Sequence, residues 1–212
     1  MIKLLISDLD DTLYDWTGFF VPAFYAMADE IARMTGIDEK KLLNEYMAAH
    51  QRLGSVEYPY ATLELPSIKA YYNNAPAEEM KAALRPAFNV FNSVRESHLH
   101  LLPGVEEMLR ALTEMGVTLI AYTESSKENG FYRLMKLGIE PYFKHVYTFE
   151  SQFKSAYAVS EKVRTVQTKK PDIAVIGRIC AGEGYDKSEV MYLGDNLTKD
   201  MYMAKMAGVT AV

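Results

Sequence analysis

Lys3-Leu4-Leu5-Ile6-Ser7-Asp8-Leu9-Asp10-Asp11-Thr12-Leu13-Tyr14-Asp15 is a short apolar run that ends in a cluster of carboxylates. Leu4, Leu5 and Ile6 have the uninterrupted apolar character of a strand covered on both faces, as central strands of parallel sheets are. The carboxyl end of such a strand is where open α/β sheets bind ligands, because the chain leaves the sheet there and opens a crevice. Asp8 and Asp10 are two residues apart, so an extended backbone directs both carboxylates to one side. Two anions so placed repel unless a cation or a shared proton relieves them. Taken without the rest of the chain, the same aspartates would serve as turn formers or a helix cap.

From Trp16 to Leu102 the pattern turns helical. Phe20, Phe24, Met27, Ile31 and Met34 recur at spacings of three and four, and Gly36 can close that helix in a left-handed turn. Asp38 can cap a second helix whose stripe is Leu42, Tyr46, Ala49 and Leu53, stopped by Gly54. A short element near Ser67–Tyr72 follows. Pro76 then suits the first turn of a helix facing inward with Met80, Leu84, Phe88 and Phe91, with a kink at Pro86. Together these predict a four-helix bundle.

After Pro103-Gly104 strands and helices alternate. Val105, Met108, Leu109, Leu112 and Met115 mark a helix closed by Gly116, and Val117–Tyr122 read as a buried strand. A helix over 127–137, a strand over 145–149, a strand ending at Met191-Tyr192-Leu193 and a helix capped by Thr198 follow. That last helix carries Met201, Ala204 and Ala207 to Gly208, and Val209–Val212 begin a fifth strand. This alternation predicts an α/β fold, a doubly wound parallel sheet with helices on both faces. The core is expected over residues 1–15 and 103–212, with the helical bundle of 16–102 inserted past the first strand. The stop at Val212, where a strand has barely begun, points to a chain that continues.

With 49% hydrophobic residues among 212, the chain can bury a substantial core. A net charge of -5 with mixed signs lacks the basic stripe of a nucleic-acid surface. Cys180 is the only cysteine, which excludes an intramolecular disulfide and a thiolate metal cluster and suits a small buried hydrophobe. Met1–Ile6 is too short for a signal-peptide core, so a cytoplasmic protein is expected. The longest uncharged stretch, Trp16–Ala28, falls short of the roughly 18 residues of a spanning helix, so no membrane partner is expected.

Four short motifs carry the chemistry: Asp8-Leu9-Asp10-Asp11-Thr12, Thr123 after Val117–Tyr122, Lys170-Pro171-Asp172, and Gly194-Asp195-Asn196-Leu197-Thr198-Lys199-Asp200. In this order they resemble the motifs of the haloacid dehalogenase-like hydrolases with a helical cap, a superfamily made largely of phosphatases. The resemblance covers nearly the whole chain. It implies a Rossmann-like core with an inserted α-helical cap and Mg²⁺-dependent hydrolysis of a small phosphorylated metabolite. Asp8 would be the nucleophile that forms an aspartyl-phosphate. Asp10 would protonate the leaving group and then activate water, while its backbone carbonyl binds metal. Thr12 would hold the loop by side-chain hydrogen bonds.

The resemblance also makes Thr123 a hydroxyl donor to a phosphate oxygen, although a Thr after a strand is also an ordinary cap. Glu124 departs from the family pattern, which favours Asn or another small residue there. A carboxylate at that place repels a bound dianion unless it points away, while its backbone N–H can still donate to phosphate. Lys170 would neutralise the phosphoryl oxygens and the Asp8 charge, with Lys169 the alternative and a solvated lysine the plain reading. Phe149 and Lys169 are separated by more chain than the pattern needs, and Phe153, Tyr157 and Val163 there hint at an extra helix. Asp195 would bind Mg²⁺ together with Asp8 and the Asp10 carbonyl. Asp200 would reach the metal through water or orient Lys170, or else cap a helix.

Other readings use the same residue types. A receiver domain of a signalling system shares the aspartates, Thr and Lys but in another order, and has no large helical insertion. A dehalogenase would not keep an acid at position 10, a phosphomutase shares all four motifs, and a non-catalytic protein would not need every one of these residues. Tyr14, Trp16, Arg52, Arg95, His98 and His100 are candidates for choosing the substrate, each also readable as a surface or packing residue. His98 and His100 lack the convergent partners of a zinc site. Closure of the cap would exclude water from the aspartyl-phosphate.

Overall fold

Strand β1 (Leu4–Ser7) is buried along its whole length because it has a parallel neighbour on each side and helices above and below. The computed structural model describes residues 1–58, 60–150 and 160–212. After β1 come α1 (Trp16–Thr35), α2 (Glu39–Leu53), a 3₁₀ turn (Ala61–Glu64), α3 (Pro66–Tyr71), α4 (Ala77–Ala83) and α5 (Arg85–His98). The chain then alternates: α6 (Val105–Glu114), β2 (Thr118–Ser126), α7 (Lys127–Lys136), β3 (His145–Phe149), β4 (Val163–Val166), α8 (Ile173–Glu183), β5 (Val190–Leu193), α9 (Tyr202–Ala207) and β6 (Thr210–Ala211).

All six strands are parallel, in the order β4-β3-β2-β1-β5-β6. The chain builds outward from β1 through β2, β3 and β4, then returns to the other side of β1 with β5. That reversal is the switch point of a doubly wound Rossmann-like sheet, and it opens a crevice at the carboxyl ends of β1 and β5. One face of the sheet presents Leu4, Ile6, Ile120, Tyr122, Val190 and Tyr192 to α8 and α9, which contribute Val175, Ile176, Ile179, Cys180, Met203 and Ala204. Cys180 is therefore a core residue, buried as expected. Helices α6 and α7 pack on β2 and bury Val105, Leu109 and Leu134. Among the described residues no helix is long and apolar enough to cross a membrane.

The chain divides into two compact units: Met1–Trp16 with Leu99–Val212, and Thr17–His98. In the helical unit, Met27, Ile31, Leu42, Tyr46, Ala49, Met80 and Leu84 form one apolar cluster. Its helix ends follow the sequence signals: Gly36 and Gly54 take positive φ, and Asp38 accepts from the Lys41 N–H at 2.9 Å. The described residues of this unit form five α-helices rather than four. The expected kink at Pro86 is a break between α4 and α5, since a proline ring fits the first turn of a new helix but not the interior of an old one.

Other expectations need correction. Strand β2 does not stop at Tyr122 but runs to Ser126 through an irregularity against β3, so Thr123 and Glu124 lie inside it. Val163 belongs to β4, not to an extra helix; Phe153 and Tyr157 lie outside the described residues. Among the described residues the sheet accordingly has six strands, with β4 and β6 at its edges. The helix after β5 is capped by Asn196, whose Oδ1 accepts from the N–H groups of Thr198 and Lys199 at 3.1 and 3.0 Å. Residues Leu197–Met201 form a wide π turn before α9 begins.

Candidate active site

At the carboxyl end of β1 the Asp8 N–H still bonds the Leu193 carbonyl of β5 at 2.8 Å, which fixes Asp8 at the switch point. The chain then turns sharply. Leu13 N–H returns to the Leu9 carbonyl at 2.9 Å, the Asp11 N–H bonds the Tyr14 carbonyl at 2.9 Å, and Asp11 takes φ 55°, a left-handed conformation that Asp tolerates better than most residues. Thr12 does not hold this loop as expected: its hydroxyl is buried and has no hydrogen-bond partner among the described residues.

A crevice of about 160 Å³ is lined by Asp8, Asp10, Asp11, Glu124, Lys170, Asp195, Asn196, Lys199 and Asp200. Lys170 stands at its floor, 2.7 Å from Asp8 Oδ1 and 2.9 Å from Asp200 Oδ1, with its side chain only 2% exposed. Its ammonium also lies over the Tyr122 ring, 4.9 Å from the centroid. Lys169, the alternative, stands over the Phe149 ring and does not line the crevice. Burial pushes Asp8 up to about 7, with the Asp200 charge adding to the shift and Lys170 opposing it.

Asp200 is not a helix cap. It lies in the wide turn after β5, where such turns recur at functional sites. Its Oδ1 accepts from Lys170 and from the Tyr192 hydroxyl at 2.9 Å, and its Oδ2 from the Asn196 N–H at 3.2 Å. Burial, with the charges of Asp8 and Asp200 adding, drives the Tyr192 phenol well above its ordinary range, so it acts as a donor. Gly194 makes this packing possible, because a Cβ there would lie 2.6 Å from Asp200 Cγ. Gly194→Ala is expected to destabilise the fold by about 1–3 kcal/mol, as overpacking of a buried site does. Urea unfolding checks this, and an unchanged midpoint would mean that Asp200 moves aside at no cost.

Carboxylate oxygens of Asp8, Asp195 and Asp200 lie within 4.8 Å of one another. Burial raises Asp195 above the usual carboxylate range, and Asp200 and Asp11 add to it. The crevice wall holds six carboxylates against two lysines. Such an excess of negative charge fits a hard divalent cation bound by oxygen, and it disfavours a phosphate dianion without one.

Asp10 is placed by residues that the sequence did not single out. Arg133 Nη1 donates to its Oδ1 at 2.9 Å, and the Ser125 hydroxyl donates to its Oδ2 at 2.7 Å. The Thr123 hydroxyl stands 3.4 Å from the same Oδ2. Glu124, whose charge raised a difficulty, is turned to the ammonium of Lys199 in an ion pair. Ser125 is two residues from Thr123 and shares its face of the strand, and that spacing was the signal available for it. Arg133 gave no signal, since a basic residue in the last turn of a helix is ordinary.

The residues proposed to choose a substrate are placed each within its own unit. Tyr14 is fully buried, and burial with the Asp10 charge drives its phenol well above the ordinary value. Arg52 pairs with Glu64 at 3.7 Å, Arg95 stands over Phe91, and the ring of His98 bonds within its own helix. Trp16 is half-buried at the head of α1, and His100 is exposed. A larger groove of about 560 Å³ in the helical unit, against Phe24, Tyr46 and His50, has no carboxylate or lysine in its lining.

A buried Asp–Lys–Asp cluster thus stands at the carboxyl edge of a parallel switch-point sheet, the place where open α/β sheets bind ligands. The sequence model of the haloacid dehalogenase-like hydrolases matches residues 5–212, and the chain belongs to that family. It is 26% identical over 223 residues to a glyceraldehyde 3-phosphate phosphatase of Pyrococcus abyssi, covering 100% of this chain and 81% of that protein. A glyceraldehyde 3-phosphate phosphatase of Methanopyrus kandleri is 28% identical over 216 residues, at 100% and 83% coverage. Among solved structures, the 2-haloacid dehalogenase of Pseudomonas syringae pv. Tomato DC3000 superposes with a TM-score of 0.66 at 24% identity, covering 100% of this chain and 85% of that one. This last likeness concerns the fold.

Proposed function

We propose that the protein is a Mg²⁺-dependent phosphomonoesterase that acts on a small phosphorylated metabolite through a phosphoenzyme on Asp8. The observation that carries this reading is the convergence of Asp8, Lys170, Asp195 and Asp200 at the sheet's switch point. Asp8 Oδ attacks phosphorus, the bond to the bridging oxygen breaks, and Asp10 gives that oxygen its proton. Water then attacks phosphorus, Asp10 takes the proton, and phosphate leaves with Asp8 restored. Lys170 keeps Asp8 anionic against the effect of burial and neutralises a phosphoryl oxygen. The Thr123 hydroxyl and the backbone N–H of Glu124 serve the other oxygens, with Lys199 drawing the Glu124 carboxylate aside. Asp8, Asp195 and the Asp10 carbonyl would hold Mg²⁺, with Asp200 behind them; when bound, the ion supplies positive charge to the phosphoryl oxygens.

An alkoxide needs a proton to leave and a halide does not, so a held carboxylate at position 10 supports an ester substrate over a carbon–halogen bond. Both named relatives carry a three-carbon aldehyde phosphate in their names, which supports a phosphorylated metabolite of that size. The test is phosphate release from glyceraldehyde 3-phosphate, phosphoglycolate, sugar phosphates, nucleoside monophosphates and p-nitrophenyl phosphate, with Mg²⁺ or with chelator. Release that requires Mg²⁺ is expected, fastest on the three-carbon esters. No release from any ester would remove the phosphatase reading, and release undiminished by chelator would remove the metal.

A further inference from the structure

A buried arginine on α7 pairs with the Asp10 carboxylate. The Arg133 side chain is 5% exposed, and its Nη1 donates to Asp10 Oδ1 and to Ser125 Oγ, both at 2.9 Å. The Ser125 hydroxyl in turn donates to Asp10 Oδ2 at 2.7 Å, so the three groups close a triangle that fixes both carboxylate oxygens. Taking a guanidinium out of water costs several kcal/mol unless it is paired, and replacing such a pair with apolar groups often does the fold no harm. Leu134, next to it on the same helix, is fully buried in the ordinary apolar way. Gly130, one turn earlier, brings α7 close: a Cβ there would lie 3.2 Å from the Thr123 methyl. The helix is thus drawn against the end of β2 at the place where its arginine reaches Asp10.

We propose that Arg133, with Ser125, is a positioning residue that aims the Asp10 carboxyl at the bridging oxygen of the substrate. This rests on the phosphatase reading above, in which Asp10 handles the leaving-group proton. Arginine suits the task because its guanidinium carries a permanent charge and one nitrogen of its planar fork, Nη1, donates to Asp10 and to Ser125 at once. The bond to Asp10 removes rotations that would otherwise let the carboxyl swing out of line with the leaving oxygen, and misplacement of that order is costly in rate. Neither Arg133 nor Ser125 touches the phosphoryl group in this mechanism. Both act through Asp10.

The test compares kcat/KM, which reports steps up to departure of the leaving group, for glycerol 3-phosphate and p-nitrophenyl phosphate. An alkyl oxygen needs the Asp10 proton to leave, whereas p-nitrophenolate leaves without it. Arg133→Met is expected to lower the alkyl value by about 10²-fold, within the range of general acid catalysis, and the aryl value by less than about tenfold on the same principle. In an Asp10→Asn background the same substitution should cost less than about twofold, because two residues acting as one unit are not additive. Arg133→Lys keeps the charge but not the fork, and should show a smaller loss with the same preference for the alkyl ester. It carries the comparison if Arg133→Met does not fold.

Equal losses on both esters, or the full loss persisting in Asp10→Asn, would make Arg133 merely structural and overturn the proposal. Wild-type protein that releases phosphate from none of the esters named here or above would instead overturn the phosphatase reading, and this proposal with it.

Discussion

Asp8→Asn is expected to abolish turnover, by a factor on the order of 10⁴ or more, while leaving the protein folded. The amide has the shape of the carboxylate but cannot attack phosphorus, and the oxygens of Asp10 are engaged by Arg133 and Ser125, which hold it to the leaving group rather than to phosphorus. Loss of a nucleophile is distinct from loss of the fold, because the substitution removes a buried charge that the protein already holds with difficulty: burial pushes Asp8 up to about 7. Lys170 keeps Asp200 as its partner at 2.9 Å, so no buried cation is stranded. Thermal unfolding of the variant should therefore match or exceed that of the wild type near pH 8, where wild-type Asp8 is ionised. The sign follows from linkage: a carboxyl whose folded pKa is raised contributes stability below its unfolded value of about 3.8 and loses it as pH rises through about 7. Phosphate release and melting measured on the same preparation check both halves. Turnover near the wild-type rate would place the nucleophile elsewhere.

The parts of this protein that were legible in its sequence are those whose cause is local. Leu4–Ile6 announces a doubly covered strand by three consecutive apolar residues, and Gly36, Asp38 and Gly54 mark helix ends by backbone preference and a single side-chain bond. Asp8 and Asp195 stand within two residues of the ends of β1 and β5, so the sheet carries them to the crevice without help from distant residues. What stayed hidden depends on partners far away in the chain. Arg133 is 123 residues from Asp10 and looks like any basic residue near a helix end, and Tyr192 looks like another apolar strand position until its hydroxyl is seen on Asp200. The π turn at Leu197–Met201 was hidden for a related reason: its register is set by burial of Asp200 against Gly194, and helical periodicity alone favours an ordinary helix. Strand β4 was missed because Val163–Val166 offers only four residues, of which Arg164 and Thr165 are exposed at the sheet edge. Edge strands show weaker apolar patterning than central ones.

Lys170→Met should cost the fold about 3–5 kcal/mol, the range for breaking a buried ion pair by removing one partner. Lys170 places one cation 2.7 Å from Asp8 and 2.9 Å from Asp200, and Met fills its volume without its charge. The two buried carboxylates then face each other with no cation between them, and the raised pKa of Asp8 rises further. The penalty is largest at pH values above the folded pKa of Asp8 and shrinks as pH falls and that acid becomes neutral. Urea unfolding at pH 8 and at pH 5 is therefore expected to give a larger difference from wild type at pH 8. A second substitution, Asp200→Asn, removes one of the opposed charges and should recover part of the loss; an independent, additive cost would mean that Lys170 and Asp200 do not act as a pair. Lys169→Met provides the contrast. Its ammonium stands over the Phe149 ring rather than between these carboxylates, and the change there should stay within about 1 kcal/mol. Equal penalties at positions 169 and 170, or a penalty at 170 that does not vary with pH, would show that the buried cluster is not held together by its charges. A site held by charge in this way does two things with one residue: Lys170 makes the clustered carboxylates tolerable to the fold, and the same cation opposes the effect of burial on Asp8.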